Sequence, residues 1–285
     1  MKLSGISLKV LLVWLSLIAA FTLSGLLFPS GDASGPWLLG SHFLVAIVLV
    51  FLAISSDWQG WRLALALSVL PLVTGIAGVA NNIEAVIFLT TSGISWKWAI
   101  GYPLVATTIS FPLLMLIFGW QTETPPDLRS ANYRPFQSRR WGQRLWRYAL
   151  SSLVYTFLYF LAGMIILPIV MDFYKTQTIP PVGKIFLIQL LIRGPIYVGV
   201  CLLIARMLGL SGIRGAMAVG VLFATLNGIV PLLIPNDVFP DYVRWAHFGE
   251  VVGSNIVFGF FVGWLWGKSR HDSDVHLLSK AAHLI

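Results

Sequence analysis

Residues 37–54 read WLLGSHFLVAIVLVFLAI, a run of eighteen residues without Lys, Arg, Asp or Glu. A helix that crosses the hydrocarbon core of a membrane needs about 20 mostly apolar residues, so this run is suited to one span. The whole chain has the same character, because 57% of its 285 residues are hydrophobic and 11% are charged. A soluble domain carries about 25% charged residues. We therefore predict an all-α, polytopic integral membrane protein.

Seven further apolar runs flank this one and predict a bundle of about eight transmembrane helices. The predicted spans are 8–28, 37–54, 63–90, 98–120, 148–171, 184–207, 215–234 and 243–267. The third span is long and is interrupted by Asn81-Asn82. The first has the position of a signal peptide, but its apolar run is longer than the 7–15 residues typical of one. We expect it to be retained as a span.

Lysine and arginine are distributed unevenly between the two ends of these spans. With the N-terminus inside, fourteen fall in inner segments and four in outer segments, while Arg193 lies within a span. Because positive charge accumulates on the cytoplasmic side, both termini are predicted to be cytoplasmic, in a bacterial inner membrane. The net charge of +8 then favours contact with anionic lipid headgroups and not with nucleic acid. The single cysteine, Cys201, excludes an internal disulfide.

A basic loop divides the chain into two parts. We expect a four-helix half at 1–120, a cytoplasmic loop at 121–147, a second four-helix half at 148–267 and a cytoplasmic tail at 268–285. Residues 137–148 are predicted to form a short helix on the inner membrane surface, where each basic residue contributes about 1 kcal/mol with anionic lipid. Its lipid-contacting residues would be Arg139, Arg140, Arg144 and Arg147. Docking of a membrane-complex partner is the alternative role of this helix.

Nearly every strongly polar residue within the spans falls in the outer third of the predicted bilayer. Ionisable groups there cost about 2.5–3.5 kcal/mol each, so they usually face a cavity or a partner. Their common depth predicts one pocket that opens to the outer side and takes a small solute or ion. The candidate binding residues are Asn81, Asn82, Glu84, Arg193, Asn227, His247, Glu250 and Asn255.

Arg193 and Glu84 are central to this hypothesis. Arg193 precedes Gly194-Pro195, which is expected to break the helix within the membrane. An arginine can hold a carboxylate through two parallel hydrogen bonds, so Glu84 or Glu250 is its predicted partner. Asn81 and Glu84 are three residues apart and share a helix face, whereas Asn82 points elsewhere. Hydrogen bonds between helices are the alternative role of both asparagines.

His247 and Glu250 are also three residues apart on one helix face. The pair favours a proton relay or a solute contact, and a purely structural hydrogen bond is the alternative. A divalent metal is the one candidate cofactor, with the ligand set His42, Glu84, His247 and Glu250. Downstream, Gly259 and Gly263 form the small-x-x-x-small pattern that is typical of close helix packing.

The combination of Asn82-Ile-Glu84-Ala85 in one span with His247-x-x-Glu250-x-x-x-Ser254-Asn255 in the last resembles uncharacterised bacterial multi-pass inner-membrane proteins. This resemblance implies no activity. The CAAX-protease-like membrane family is similar in placing glutamates and histidines within several spans. Its Glu-Glu-x-x-x-Arg motif is absent, because this chain has Asn81-Asn82-Ile83-Glu84 instead.

Three functions remain open at this point. The favoured one is a permease or proton- or ion-coupled carrier, in which Glu84, His247 and Glu250 exchange protons or bind a cation and Arg193 holds an anionic group. The second is an intramembrane hydrolase, metal-dependent or not, with Glu84 or Glu250 as the base and His247 as a ligand to metal or water. The third is a structural or assembly subunit of a membrane complex. No nucleotide-binding or zinc-protease motif occurs in the sequence.

Overall fold

The computed structural model describes residues 3–28, 35–75, 78–88, 95–119, 141–209, 212–235 and 239–267. All regular secondary structure in these ranges is helical. Seven helical segments of the described chain are long and apolar enough to cross a membrane. The predicted all-α polytopic bundle is therefore confirmed.

The described residues form eleven α-helices and two π-helical turns. Two spans are composite: α7, π1 and α8 run without interruption, and so do α9, π2 and α10. The bounds are α1 (Leu3–Leu27), α2 (Gly35–Ser55), α3 (Gly60–Val73), α4 (Val79–Phe88), α5 (Trp96–Phe118), α6 (Trp141–Tyr174), α7 (Val182–Ile188), π1 (Gln189–Arg193), α8 (Gly194–Leu208), α9 (Gly212–Ala224), π2 (Thr225–Ile229), α10 (Val230–Leu233) and α11 (Asp241–Trp266).

The third predicted span consists of two helices, α3 and α4. Its interruption follows Val73 and does not lie at Asn81-Asn82, as expected. Thr74 ends α3 with an extended backbone, and Gly75 has a φ of +86°, a conformation that glycine adopts without strain. Asn82 instead lies inside α4, where its Nδ2 donates to the carbonyl of Ala99 at 3.1 Å. Since α3 and α4 both contact α5, the two form one interrupted segment that runs antiparallel to α5.

Helix α6 begins earlier than predicted and absorbs part of the expected surface helix. It has 34 residues, which corresponds to about 51 Å at 1.5 Å per residue. No proline precedes Pro168 in this helix, so nothing interrupts its hydrogen bonds at the expected junction near Tyr148. From Trp141 onward the expected surface helix is continuous with α6. Residues 137–140 lie outside the described residues, and the position of residues 141–148 on the membrane surface stays a prediction.

The basic residues predicted to contact lipid differ in their surroundings. Arg147 donates to the carbonyl of Leu265 at 2.5 Å and so stabilises the last turn of α11. The guanidinium of Arg144 lies 5.6 Å from the ring centre of the exposed Trp141. Lipid contact by these side chains stays a prediction. Arg139, Arg140 and the tail at 268–285 lie outside the described residues.

Helices α9 and α11 pack backbone against backbone. A Cβ atom added to Gly259 would lie 2.7 Å from the Cα of Gly220, and one added to Gly263 would lie 2.7 Å from the Cα of Ala216. No larger side chain fits at these two positions without moving a helix. The close packing predicted from the spacing of Gly259 and Gly263 is confirmed.

One hydrophobic cluster extends through both predicted halves of the chain. Helices α2 and α3 of the first half contact α8 of the second, and α2 also contacts α10. Within the second half, α11 packs against α6 and α9. The largest fully buried side chains are Trp266, Tyr197, Phe118, Phe223 and Phe258. This core places α4, α6, α8 and α11 around one region of the bundle.

The substitution Gly259→Ala is expected to lower the free energy of unfolding by about 1–3 kcal/mol, the usual cost of overpacking. The added methyl group overlaps the α9 backbone at Gly220. Thermal unfolding of the purified protein in detergent measures the effect. Gly253→Ala is the matched control, because it lies on the same helix with nothing within 4 Å of the added Cβ. Equal unfolding temperatures for the two variants would contradict the close approach.

Candidate functional site

A buried arginine, Arg193, lies at the centre of a polar cluster between the two predicted halves. Its side chain is 4% exposed, and its Nη2 lies 2.5 Å from Oε2 of Glu84, whose side chain is 29% exposed. The predicted pairing of Arg193 with Glu84 is therefore confirmed. Because α4 carries Glu84 and π1 carries Arg193, the ion pair joins the first half of the chain to the second.

The guanidinium also hydrogen-bonds to two side chains of its own span. Nη1 of Arg193 donates to Oε1 of Gln189 at 3.1 Å, and Nη2 donates to the hydroxyl of Tyr197 at 3.0 Å. The Tyr197 hydroxyl donates in turn to Oδ1 of Asn81 at 2.7 Å. Asn81 and Glu84 thus approach the arginine from the same face of α4, as their spacing predicts.

The second π-helical turn brings Asn227 to the same cluster. Asn227 is buried beside the hydroxyl of Tyr197, and its Oδ1 has no hydrogen-bond partner among the described residues. The same holds for Nε of Arg193, Nε2 of Gln189 and Nδ2 of Asn255. A buried polar atom without a partner costs about 1–3 kcal/mol. These atoms are therefore positions at which a bound ligand would add hydrogen bonds.

Both π-helical turns of the described chain carry residues of this cluster. In each turn, the N–H of the following residue donates to the carbonyl five residues earlier. A proline follows each turn, at Pro195 and Pro231, and proline has no N–H with which to continue the α-helical pattern. Gly194-Pro195 therefore widens the helix and does not break it, which corrects the sequence expectation. Such π-helical turns occur frequently at functional sites.

Helix α6 contributes Tyr159 to the cluster. The phenol of Tyr159 lies beside the carboxylate of Glu84, and its ring centre lies 5.9 Å from the guanidinium of Arg193. A Cβ added to Gly194 would lie 3.1 Å from the carbonyl of Ser152, so glycine allows the π1 turn to lie directly against α6. Glu84 is thus held by Arg193 on one helix and Tyr159 on another.

Beneath the polar cluster lies a ring of four aromatic side chains. Tyr155 packs edge-on against Tyr197 and Phe258, and Phe223 closes the ring through contacts with the same two residues. The ring centres are 5.1–5.7 Å apart, a distance favourable for aromatic pairs. The cluster therefore rests on a closely packed apolar base.

His247 and Glu250 form a second hydrogen-bonded group. Nδ1 of His247 lies 2.6 Å from Oε2 of Glu250, and its Nε2 lies 2.9 Å from the hydroxyl of Tyr174. The histidine side chain is 16% exposed and the glutamate 8%. A Cβ added to Gly163, one turn after Tyr159 on α6, would lie 3.7 Å from Oε1 of Glu250, so this group neighbours the arginine cluster. The shared face predicted for His247 and Glu250 is confirmed.

His42 lies against a different helix. Its ring centre is 4.5 Å from that of Phe21 in α1, and its Nδ1 is 2.7 Å from the carbonyl of Leu38. In the described part of the chain, no group of three or more His, Cys, Asp or Glu side chains could hold a metal ion. The structure therefore does not bring together the ligand set expected from His42, Glu84, His247 and Glu250, and a divalent metal stays a prediction.

Several side chains of the site are not predicted by the sequence analysis. A signal for some of them exists, because Gln189, Arg193 and Tyr197 follow one another at intervals of four residues and so share a helix face. Tyr155 and Tyr159 have the same spacing. Nothing local to Tyr174 indicates its contact with His247, which depends on how α6 and α11 pack. The residues missed are Tyr155, Tyr159, Tyr174, Gln189 and Tyr197.

A double-mutant cycle on Glu84→Ala and Arg193→Met is expected to show coupling. Removing one partner leaves the other charge uncompensated, whereas removing both does not. We expect the double variant to be more stable than the two single losses imply, by about 1–3 kcal/mol. The measurement is thermal or denaturant unfolding in detergent.

The matched control is the same cycle on Arg244 and Asp241, a pair at 2.7 Å whose carboxylate is 80% exposed. Because water screens this pair, its coupling should stay below about 1 kcal/mol. Similar coupling energies for the two cycles would show that the lower exposure of the Glu84 carboxylate has no energetic consequence.

Comparisons with known proteins assign the chain to no family. No protein-family model, no curated protein and no solved structure significantly matches the chain. What the structure and composition establish is a multi-pass helical membrane protein, and its function is inferred from the chemistry of the arginine cluster.

Proposed function

We propose that the protein is a proton-coupled permease for a small anionic solute, in a bacterial inner membrane with both termini cytoplasmic. The observation that carries the proposal is the ion pair between a buried Arg193 and a partly exposed Glu84. The excess of lysine and arginine in the inner segments supports the orientation. The unpartnered atoms around Arg193 support a ligand site at the same place.

The proposed coupling follows from the cost of a buried charge. A guanidinium in a low-dielectric interior needs a negative partner, because an unpaired ion costs several kcal/mol. Glu84 is that partner in this structure. When Glu84 takes up a proton, it loses its charge, and an anionic solute can then replace it beside Arg193. Proton binding and anion binding therefore favour each other, as a symporter requires.

The groups around Glu84 provide a route for the proton. Arg193 and Tyr159 contact Glu84 directly, while Glu250 and His247 form the neighbouring group. His247 is partly exposed and hydrogen-bonded through both ring nitrogens, an arrangement suited to passing a proton. In this proposal the histidine group collects protons from the outer side, and Glu84 carries the proton that accompanies the solute.

The variant Glu84→Gln is expected to lose proton-coupled uptake at least about tenfold, because an amide cannot take up the proton. The assay uses proteoliposomes that contain a pH-sensitive dye, with L-lactate, succinate, L-glutamate and inorganic phosphate added outside in turn. The wild type should acidify the lumen with at least one of these anions. Asp172→Asn, which removes an exposed carboxylate of α6, is the control and should behave as the wild type.

Two further results decide the role of Glu84. Glu84→Asp keeps the titrating group and should retain coupling, which separates a chemical loss from a folding defect. A folded Glu84→Gln variant with wild-type proton uptake would overturn the proposal. Monodisperse elution and an unchanged unfolding temperature define the folded variant.

An intramembrane hydrolase is the second candidate, and the Tyr174–His247–Glu250 chain favours it. A hydroxyl, an imidazole and a carboxylate in this order orient the histidine as a base. His247→Ala is then expected to abolish ester hydrolysis, measured with p-nitrophenyl butyrate and purified protein. Wild-type turnover no faster than that of His247→Ala would remove this candidate and leave the permease.

A further inference from the structure

We infer that the solute is a small carboxylate with a hydroxyl or amino group close to the carboxylate, as in 2-hydroxy acids and amino acids. This inference rests on the proposed function and narrows its substrate from an anion to a chemical class. The hydrogen-bonding atoms that the arginine cluster leaves unused carry the argument.

The unused donors of the cluster fit a carboxylate. Nε of Arg193 and Nε2 of Gln189 are buried, and each lacks a hydrogen-bond partner among the described residues. Nε and Nη2 of a guanidinium form a fork that matches the two oxygens of a carboxylate. Nη2 now contacts Glu84. Once Glu84 is protonated, a solute carboxylate would therefore have the complete fork of Arg193 and a further donor from Gln189.

The unused acceptor of the cluster requires a donor on the solute. The hydroxyl of Tyr197 donates its hydrogen to Asn81 and accepts a hydrogen bond from Arg193. Asn227 lies beside this hydroxyl, whose single hydrogen is already donated to Asn81, so only the Nδ2 of Asn227 can hydrogen-bond there. Its Oδ1 is buried and has no partner in the described structure. An O–H or N–H group on the solute would satisfy this oxygen.

The carboxylate fork and this acceptor are close enough for one small molecule. Arg193 bonds to the hydroxyl of Tyr197 and Asn227 lies beside it, so Nε and Oδ1 lie at most roughly 10 Å apart, given contacts of about 3 Å. Nδ2 of Asn255 is a further unused donor on α11, one turn from Phe258 of the aromatic ring. The four aromatic side chains beneath the cluster provide no charged partner for a second charged group on the solute. A compact solute with one carboxylate and an adjacent donor would satisfy both the fork of Arg193 and Oδ1 of Asn227.

The charge of the site argues for a monoanion. Arg193 is the only permanently charged cation among the described residues of the cluster, and one guanidinium balances one negative charge. A phosphate dianion or a dicarboxylate would bring an uncompensated charge into the buried site, which is costly. The solute therefore carries one carboxylate, and the rest of the molecule is neutral or makes it a zwitterion.

The test compares L-lactate with propionate, which differ only in the hydroxyl group. Isothermal titration calorimetry on the purified wild-type protein in lipid nanodiscs, in mildly acidic buffer, measures both affinities. We expect lactate to bind at least about tenfold more tightly, because propionate leaves Oδ1 of Asn227 without a partner. L-alanine, which carries an amino donor, should also bind more tightly than propionate.

The variant Asn227→Leu assigns this preference to one side chain. It is expected to lower the affinity for lactate to that for propionate, while the affinity for propionate stays unchanged. Asn227→Asp retains an acceptor oxygen and should keep the preference for lactate. If Asn227→Leu fails to fold, the wild-type comparison of lactate with propionate still decides the question.

The outcomes separate this inference from the proposed function. Equal affinities for lactate and propionate in the wild type, together with proton-coupled uptake of either, would overturn the inference and leave the permease in place. Stronger binding of inorganic phosphate than of lactate would do the same. If no anion of the uptake panel moves with protons, the permease and the inference both fail.

Discussion

A guanidinium buried among transmembrane helices is the constraint on which the site depends. Arg193 is almost fully enclosed, and its charge is tolerated only because each of its contacts supplies negative charge, an acceptor or an aromatic face. Glu84 supplies the charge, Gln189 and Tyr197 supply acceptors, and Tyr159 supplies a ring. These partners come from three separate segments of the chain. The contacts that the buried charge of Arg193 requires therefore constrain the relative positions of α4, α6 and α8.

The two π-helical turns orient polar side chains so that these contacts can form. An uninterrupted α-helix has every backbone hydrogen bond made and directs its side chains at a fixed angle. The π1 and π2 turns change that angle locally, and each places polar side chains toward the interior. The prolines that follow remove one donor each, which favours the wider turn. Close packing elsewhere, as between Gly220 and Gly259, compensates for this loss of regularity.

The bundle was predictable from the length of the apolar runs, and the contact of His247 with Glu250 from helical spacing. The pairing of Arg193 with Glu84 was predictable from the cost of an unpaired charge within a span. The interruption after Thr74 was not predictable, because it depends on a glycine conformation that leaves no trace in hydropathy. The contact of Tyr174 with His247 was not predictable either, since it requires the packing of α6 on α11. His42 lies at the same predicted depth in the bilayer as the site residues, but its neighbour is Phe21 of α1. The depth of a residue does not show which helix its side chain faces.

Helix α4 is short, and side-chain contacts attach it to two neighbouring spans. It has ten residues, about 15 Å, and it is joined to α3 through a stretch that begins with Thr74 and Gly75. Asn82 fastens one of its faces to α5, and Glu84 fastens another to Arg193. Asn81 of the same helix also accepts a hydrogen bond from the hydroxyl of Tyr197. Breaking the contact of Glu84 alone would therefore leave α4 attached at two other side chains, through Asn82 to α5 and through Asn81 to the span that carries Arg193.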